Sequence, residues 1–187
     1  VDIQLTGTSA IQREERCSLK DIEELLRQIA SLPNCTVVPP NGLPQTDKYN
    51  LPTDLKRFYG LCGGVRLFEN KDYHCQIVQS TEFVFSNPVI VGGYIDEDIS
   101  SHWFIVGHDG NGDYISIDLH NERLGICYDS FWDRHGVVGE CPIIAKSFTE
   151  LLNQLVQNNG ERWYWLKEEI ESLGDAYDCI DENKSLR

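Results

Sequence analysis

From Val65 to Cys141 the chain is a succession of short β-branched and aromatic runs, "VRLF", "HCQIV", "EFVF", "WFIVG", "DYISIDL", "LGICY" and "CPIIA", parted by breaks of Gly, Asn, Asp and Ser. Runs this short, at this spacing, predict an antiparallel meander. Over residues 113–119 the alternation is strict, with Ile115, Ile117 and Leu119 on one side and Tyr114, Ser116 and Asp118 on the other. That pattern predicts a sheet with one buried face and one face presenting polar groups.

Helical periodicity brackets the sheet. "SLKDIEELLRQIASL" places Leu19, Ile22, Leu25, Leu26, Ile29 and Leu32 on one stripe, opened by Ser18 and ended by Pro33. After a loop from Pro33 to Asn50, "LPTDLKRFYGLCGG" predicts a second short helix with Pro52 at its entry and Gly63 and Gly64 as a left-handed cap. "SFTELLNQLVQNNG" predicts a third helix, with Ser147 and Glu150 in capping-box register and Gly160 as its stop. "ERWYWLKEEIESLG" reads as one more amphipathic helix, followed by a frayed acidic tail from Asp175. Helices segregated from strands in this way predict an α+β fold, a mostly antiparallel β-sheet with helices packed on one face.

The glycine-rich break in "WFIVGHDGNGDYISIDL" invites chemical readings, and the spacing decides among them. A calcium loop starting at Asp109 would need glycine at its sixth position and glutamate at its twelfth, which are Tyr114 and His120. A phosphate loop would need a helix after the glycines and a lysine, and strand signals lie on both sides of Gly110 and Gly112 instead. A tight hairpin turn uses Asp, Gly and Asn directly, because they tolerate positive φ. No G-x-S-x-G and no closely spaced cysteine pair is present, so no catalytic residue, metal ligand or cofactor is expected. The seven scattered cysteines read as reduced thiols.

Thirty acidic residues against sixteen basic ones give a net charge of −14, which argues against direct binding to nucleic acid or anionic membrane and favours a basic partner. The excess is concentrated. Residues 94–140 hold ten acids against Arg123 and Arg134, leaving −8. Aromatic residues are interleaved there, and Asp96, Glu97, Asp98, Asp129, Trp132 and Asp133 are the expected partner-contact residues. With no long apolar run and no basic leader in the opening residues, a soluble cytoplasmic protein is expected, as a monomer or weak homodimer.

The segments together resemble the SUKH superfamily, which includes fungal regulators of cell-wall synthesis and bacterial immunity proteins of toxin systems. The resemblance rests on "LPTDLKRFYGLCGG" with Leu51, Pro52, Gly63 and Gly64, on Trp103, Gly107, Asp109, Gly110, Gly112 and Asp113 in the central hairpin, on "LGICY", and on "SFTELL", in the family's order. It implies a SUKH-like domain at 18–160, preceded by an extension at 1–17 and followed by a helix and tail at 161–187. It further implies a non-enzymatic binding protein, most simply an immunity protein that neutralises a basic, nucleic-acid-targeting toxin domain. A regulatory scaffold for a signalling or cell-wall partner is the alternative.

Overall fold

The computed structural model describes residues 20–178. Helix α1 (Ile22–Ser31) leads to a short strand β1 (Thr36–Val37), helix α2 (Thr53–Leu61), strands β2 (Val65–Leu67) and β3 (Cys75–Ile77), and a brief helix α3 (Ser86–Ile90). A 3-10 turn at Ile99–His102 precedes β4 (Trp103–His108), β5 (Tyr114–Asp118), β6 (Cys127–Ser130) and β7 (Ile143–Ala145). Helix α4 (Phe148–Asn158) and a 3-10 turn at Tyr164–Leu166 follow. The strands form one seven-stranded sheet in sequence order, each antiparallel to the next. This is the predicted α+β meander, with β1 added from the segment expected to be loop and "EFVF" reduced to a single bridge between Phe85 and Phe104.

Helices α1, α2 and α4 pack against one another and share the main core with the sheet. Their stripes bury as the periodicity requires: Ile22, Leu25, Leu26 and Ile29 from α1, Leu55, Phe58 and Tyr59 from α2, and Phe148, Leu151, Leu152, Leu155 and Val156 from α4. Each such side chain contributes about 1.5–3 kcal/mol by leaving water. Polar links fix the helices to one another and to the sheet. Asp54 Oδ2 accepts from both the backbone N–H and the hydroxyl of Thr149, tying α2 to the first turn of α4. The Tyr59 hydroxyl donates to the Val78 carbonyl from within the core.

The caps differ in part from expectation. Ser18 lies outside the described residues, and Asp21 caps α1 by accepting from Glu24 N–H at 2.8 Å. Ser147 caps α4 as predicted, but Glu150 reaches back to the N–H of Lys146 rather than to that of Ser147. Gly63 and Gly64 do not form a left-handed cap, since α2 ends on Cys62 in extended geometry. Glycine is required there by proximity. A Cβ on Gly63 would stand 2.3 Å from the Pro39 carbonyl oxygen, and Gly64 has φ +128° with the Ile77 carbonyl oxygen 2.8 Å from its Cβ position. Gly63→Ala is therefore expected to destabilise the fold by about 1–3 kcal/mol, read as a fall in urea midpoint; an unchanged midpoint would refute the contact.

The second face of the sheet is not the solvated polar face that the alternation suggested. Ser116 and Asp118 are fully buried. A smaller apolar cluster of Trp103, Tyr128, Cys141, Ala176 and Tyr177 forms there, with Trp103 stacked on Tyr128 at 4.2 Å. The segment from Asp175, expected to fray, instead acts with Gly174 as a strap over residues 174–178. Asp175 bridges to Pro142 and accepts from the N–H groups of Gly139 and Cys141, while Ala176 N–H donates to Cys141 O.

The helix expected over Glu161–Leu173 is likewise replaced by one 3-10 turn and irregular chain. Trp163, Tyr164 and Trp165 are consecutive yet all engaged: Trp163 stacks on Trp165 at 5.1 Å, and the Tyr164 hydroxyl donates to Ile144 O at 2.5 Å. Three neighbours with such separate contacts cannot share one helical stripe, so tertiary packing overrides the local period. No helix among the described residues is long and apolar enough to cross a membrane.

Candidate functional site

Two of the ten acids in the 94–140 segment are buried and serve the fold. Asp118, at the end of β5, has no exposed side-chain surface and accepts from Arg123 Nε at 2.7 Å, Trp103 Nε1 at 3.1 Å and His120 N–H at 2.7 Å. Asp129, in β6, is equally buried and accepts from Arg134 at 2.5 Å, Trp165 Nε1 at 3.0 Å and Phe131 N–H at 3.1 Å. Burial pushes both carboxyls above the usual range, and their donors pull them back. Asp129 thus offers no surface to a partner, contrary to its expected contact role; it shapes the turn that carries Trp132 and Asp133.

This pairing sharpens the charge argument. The only two arginines of the segment lie against its two buried aspartates, so the whole −8 belongs to the eight other carboxylates. Among them Asp96 and Glu97 are exposed. Asp98 is half-buried: it caps the 3-10 turn by accepting from Ser100 N–H at 2.8 Å, and both its oxygens accept from the Tyr177 hydroxyl, at 2.9 and 3.0 Å. Asp133 is exposed, and Trp132 is 72% exposed.

Asp109 organises the β4–β5 turn. Its Oδ1 accepts from the N–H groups of Asn111 and Asp113, and Gly110 and Gly112 take φ of +84° and +108°. The hairpin motif is thereby occupied with its own backbone. Gly107 sits beside a β-bulge, where a Cβ would approach the Gln76 carbonyl oxygen at 3.1 Å. Leu51 and Pro52 are buried at the entry to α2, and Trp103 is buried under Tyr128.

Helix α3 and the loop that follows it adjoin the loop after β6 through two links. His135 Nε2 lies 2.6 Å from Asn87 Oδ1, and the Tyr177 hydroxyl that holds Asp98 is 3.9 Å from the Cβ position of Gly136. Asn87 Nδ2 donates to the Ser100 hydroxyl, which leaves its Oδ1 as the acceptor and makes His135 Nε2 the donor. Desolvation pushes His135 down to about 4, so it is neutral near pH 7.

Two exposed features near these loops escaped the sequence reading. Tyr94 is 72% exposed, and Val138 is 67% exposed with Val137 beside it. The one local signal was "GGYIDED", an aromatic set between glycines and acids. Beside Tyr94 opens a cavity of about 630 Å³. Among the described residues no three His, Cys, Asp or Glu side chains converge to hold a metal. Cys62, Cys75, Cys127 and Cys141 are buried free thiols raised by burial, which suppresses thiolate chemistry. What remains exposed, aromatic and aliphatic side chains among uncompensated carboxylates, suits recognition of another molecule.

The SMI1 / KNR4 family (SUKH-1) model matches residues 45–154, a span that runs from the approach to α2 into α4 and contains the loops just described. The chain is also 52% identical over 161 residues to "Immunity protein YokJ" of Bacillus subtilis (strain 168), covering 86% of this chain and 98% of that protein. With the model matched over more than half its length and a relative of this similarity, the chain belongs to the SMI1/KNR4 family, SUKH-1.

Proposed function

We propose that this chain is an immunity protein that binds a cognate toxin domain and neutralises it by occupation, without chemistry of its own. The observation that carries this reading is the exposure of Tyr94 and Trp132 beside Asp96, Glu97 and Asp133, of which only Asp133 has an arginine within reach, Arg134 Nε at 3.9 Å, and that arginine is already bound to the buried Asp129. Exposed aromatics supply contact area at little entropic cost, and uncompensated charge of one sign steers and selects a partner of the other. The relative's name supports the role. A toxin that attacks nucleic acid needs a basic surface to hold phosphates, and an acidic antagonist is complementary to it.

The test is co-expression with the C-terminal domain of the toxin encoded beside the gene, followed by co-purification and growth rescue. A stable complex with rescue is the expected result. The double variant Asp96→Lys, Glu97→Lys should weaken binding roughly tenfold and flatten its dependence on salt. Asp98 is spared because it holds Tyr177. Unchanged affinity in the double variant would remove these residues from the contact. Absence of both complex and rescue would sink the immunity reading and leave a regulatory scaffold in its place.

A further inference from the structure

The cavity beside Tyr94 is built, not incidental. Its floor is a cluster of four rings: Phe83 stacks on Phe104 at 5.3 Å, Phe85 leans on Phe104 at 4.3 Å, and Tyr49 meets Phe85 and Phe104 edge-on at 5.8 and 5.4 Å. Tyr94 stands over Phe85 at 5.8 Å as one wall, and Val89 of α3 lines the rim. Backbone bonds hold the floor in place, with Ile105 N–H donating to Val84 O. At about 630 Å³ the space falls within the roughly 300–1,000 Å³ typical of binding clefts.

The mouth is apolar and open. Val84, Val89, Val91, Tyr94 and Ile95 are all substantially exposed within this one stretch of chain. Such a concentration of exposed apolar side chains marks an interaction surface. The groove's own lining carries one acid and one base, Asp47 and Lys48, and the chain beyond Tyr94 adds acid alone: no lysine or arginine occurs between Lys71 and Arg123, and Asp96 and Glu97 follow Tyr94 directly after Ile95. Of the two charged lining residues, Lys48 lies over the Tyr49 ring at 5.4 Å.

We infer that this groove is the anchor site for the toxin domain, taking one aromatic or long aliphatic side chain flanked by a Lys or Arg that lies against Asp96 and Glu97. The inference rests on the immunity reading and adds to it a pocket that the charge pattern alone does not reveal. An open groove with an aromatic floor, whose Tyr94 wall runs on within three residues into the exposed Asp96 and Glu97, matches a protein segment that is apolar at its tip and basic beside it. Tight interfaces concentrate their energy in such anchors.

The experiment is calorimetric titration of the same toxin domain into wild type, Tyr94→Ala, Val89→Lys and the Asp96→Lys, Glu97→Lys double variant, at low and high salt. Tyr94→Ala should lose roughly thirtyfold in affinity with its salt dependence unchanged, since it removes contact and not charge. Val89→Lys should lose at least as much, because it puts a cation at the mouth. Tyr94 is exposed, so its removal leaves the fold intact, and circular dichroism verifies this for both single variants.

Wild-type affinity in both single variants, alongside weakened binding in the double variant, would overturn the groove while the immunity reading stands. Failure of wild type to bind would overturn that reading, and the groove's occupant with it. Unchanged toxin affinity with an altered monomer–dimer balance in sedimentation would place a second copy of this chain in the groove, also overturning the proposal.

Discussion

Asp118→Ala is expected to lower the unfolding free energy by about 3–5 kcal/mol in urea denaturation, the range for removing one partner of a buried ion pair. The carboxylate is the shared acceptor of Arg123 Nε, Trp103 Nε1 and the His120 N–H, so its loss strands donors from β4, from the following turn and from an arginine at once. The Tyr128 hydroxyl, 3.4 Å away, loses its nearest acceptor too. Asp118→Asn should cost less, because the amide oxygen still accepts and the partly exposed Arg123 side chain can turn to water. If both variants unfold within about 1 kcal/mol of wild type, the cluster does not hold the sheet together.

Acid should weaken the fold through His135. Its folded value of about 4 lies below the ordinary 6.5, so between those pH values the unfolded chain binds more protons than the folded one. The stability that depends on neutral His135 is therefore fully present above 6.5 and is lost as pH falls toward 4. The maximum effect is about 3 kcal/mol. The cause is burial beside Asn87 and the Trp103 ring, with only Asp98 acting in the other direction. Asp118 and Asp129, raised by burial, contribute with the opposite sign, which is why the measurement is a comparison. Urea midpoints of wild type and His135→Gln at about pH 7 and about pH 4.5 isolate the imidazole. The variant should lose less stability on acidification, and equal losses would remove His135 from the account.

Much of this architecture is written locally. The turn residues between the β runs, the stripes of α1, α2 and α4, and the Ser147 cap each follow from a few adjacent side chains, and the structure forms them. The failures occur where distant residues decide. Alternation along β5 separates two kinds of side chain correctly, but Ser116 is buried against Ser86 at 2.7 Å and Asp118 against Arg123, so polar did not mean exposed. Counting acids likewise could not reveal that Asp129 is enclosed by Arg134 and Trp165. The proposed anchor groove needs Tyr49, Phe83, Phe85, Tyr94 and Phe104 together, and no short-range pattern joins residues that far apart. Consecutive Trp163, Tyr164 and Trp165 looked helical by period and were claimed separately by the core.

The strap at 174–178 comes later in the chain than everything it clamps: Pro142, Cys141, Gly139 and, through Tyr177, Asp98. Synthesis runs from the N-terminus, and units fold as they emerge. The helices and most of the meander can assemble while translation continues, but the loops bearing Asp96 and Trp132 receive their last constraint only after residue 178 has left the ribosome. Maturation of the proposed recognition surface is thereby tied to synthesis of the strap, and a nascent chain stalled short of it would carry the core without a finished surface.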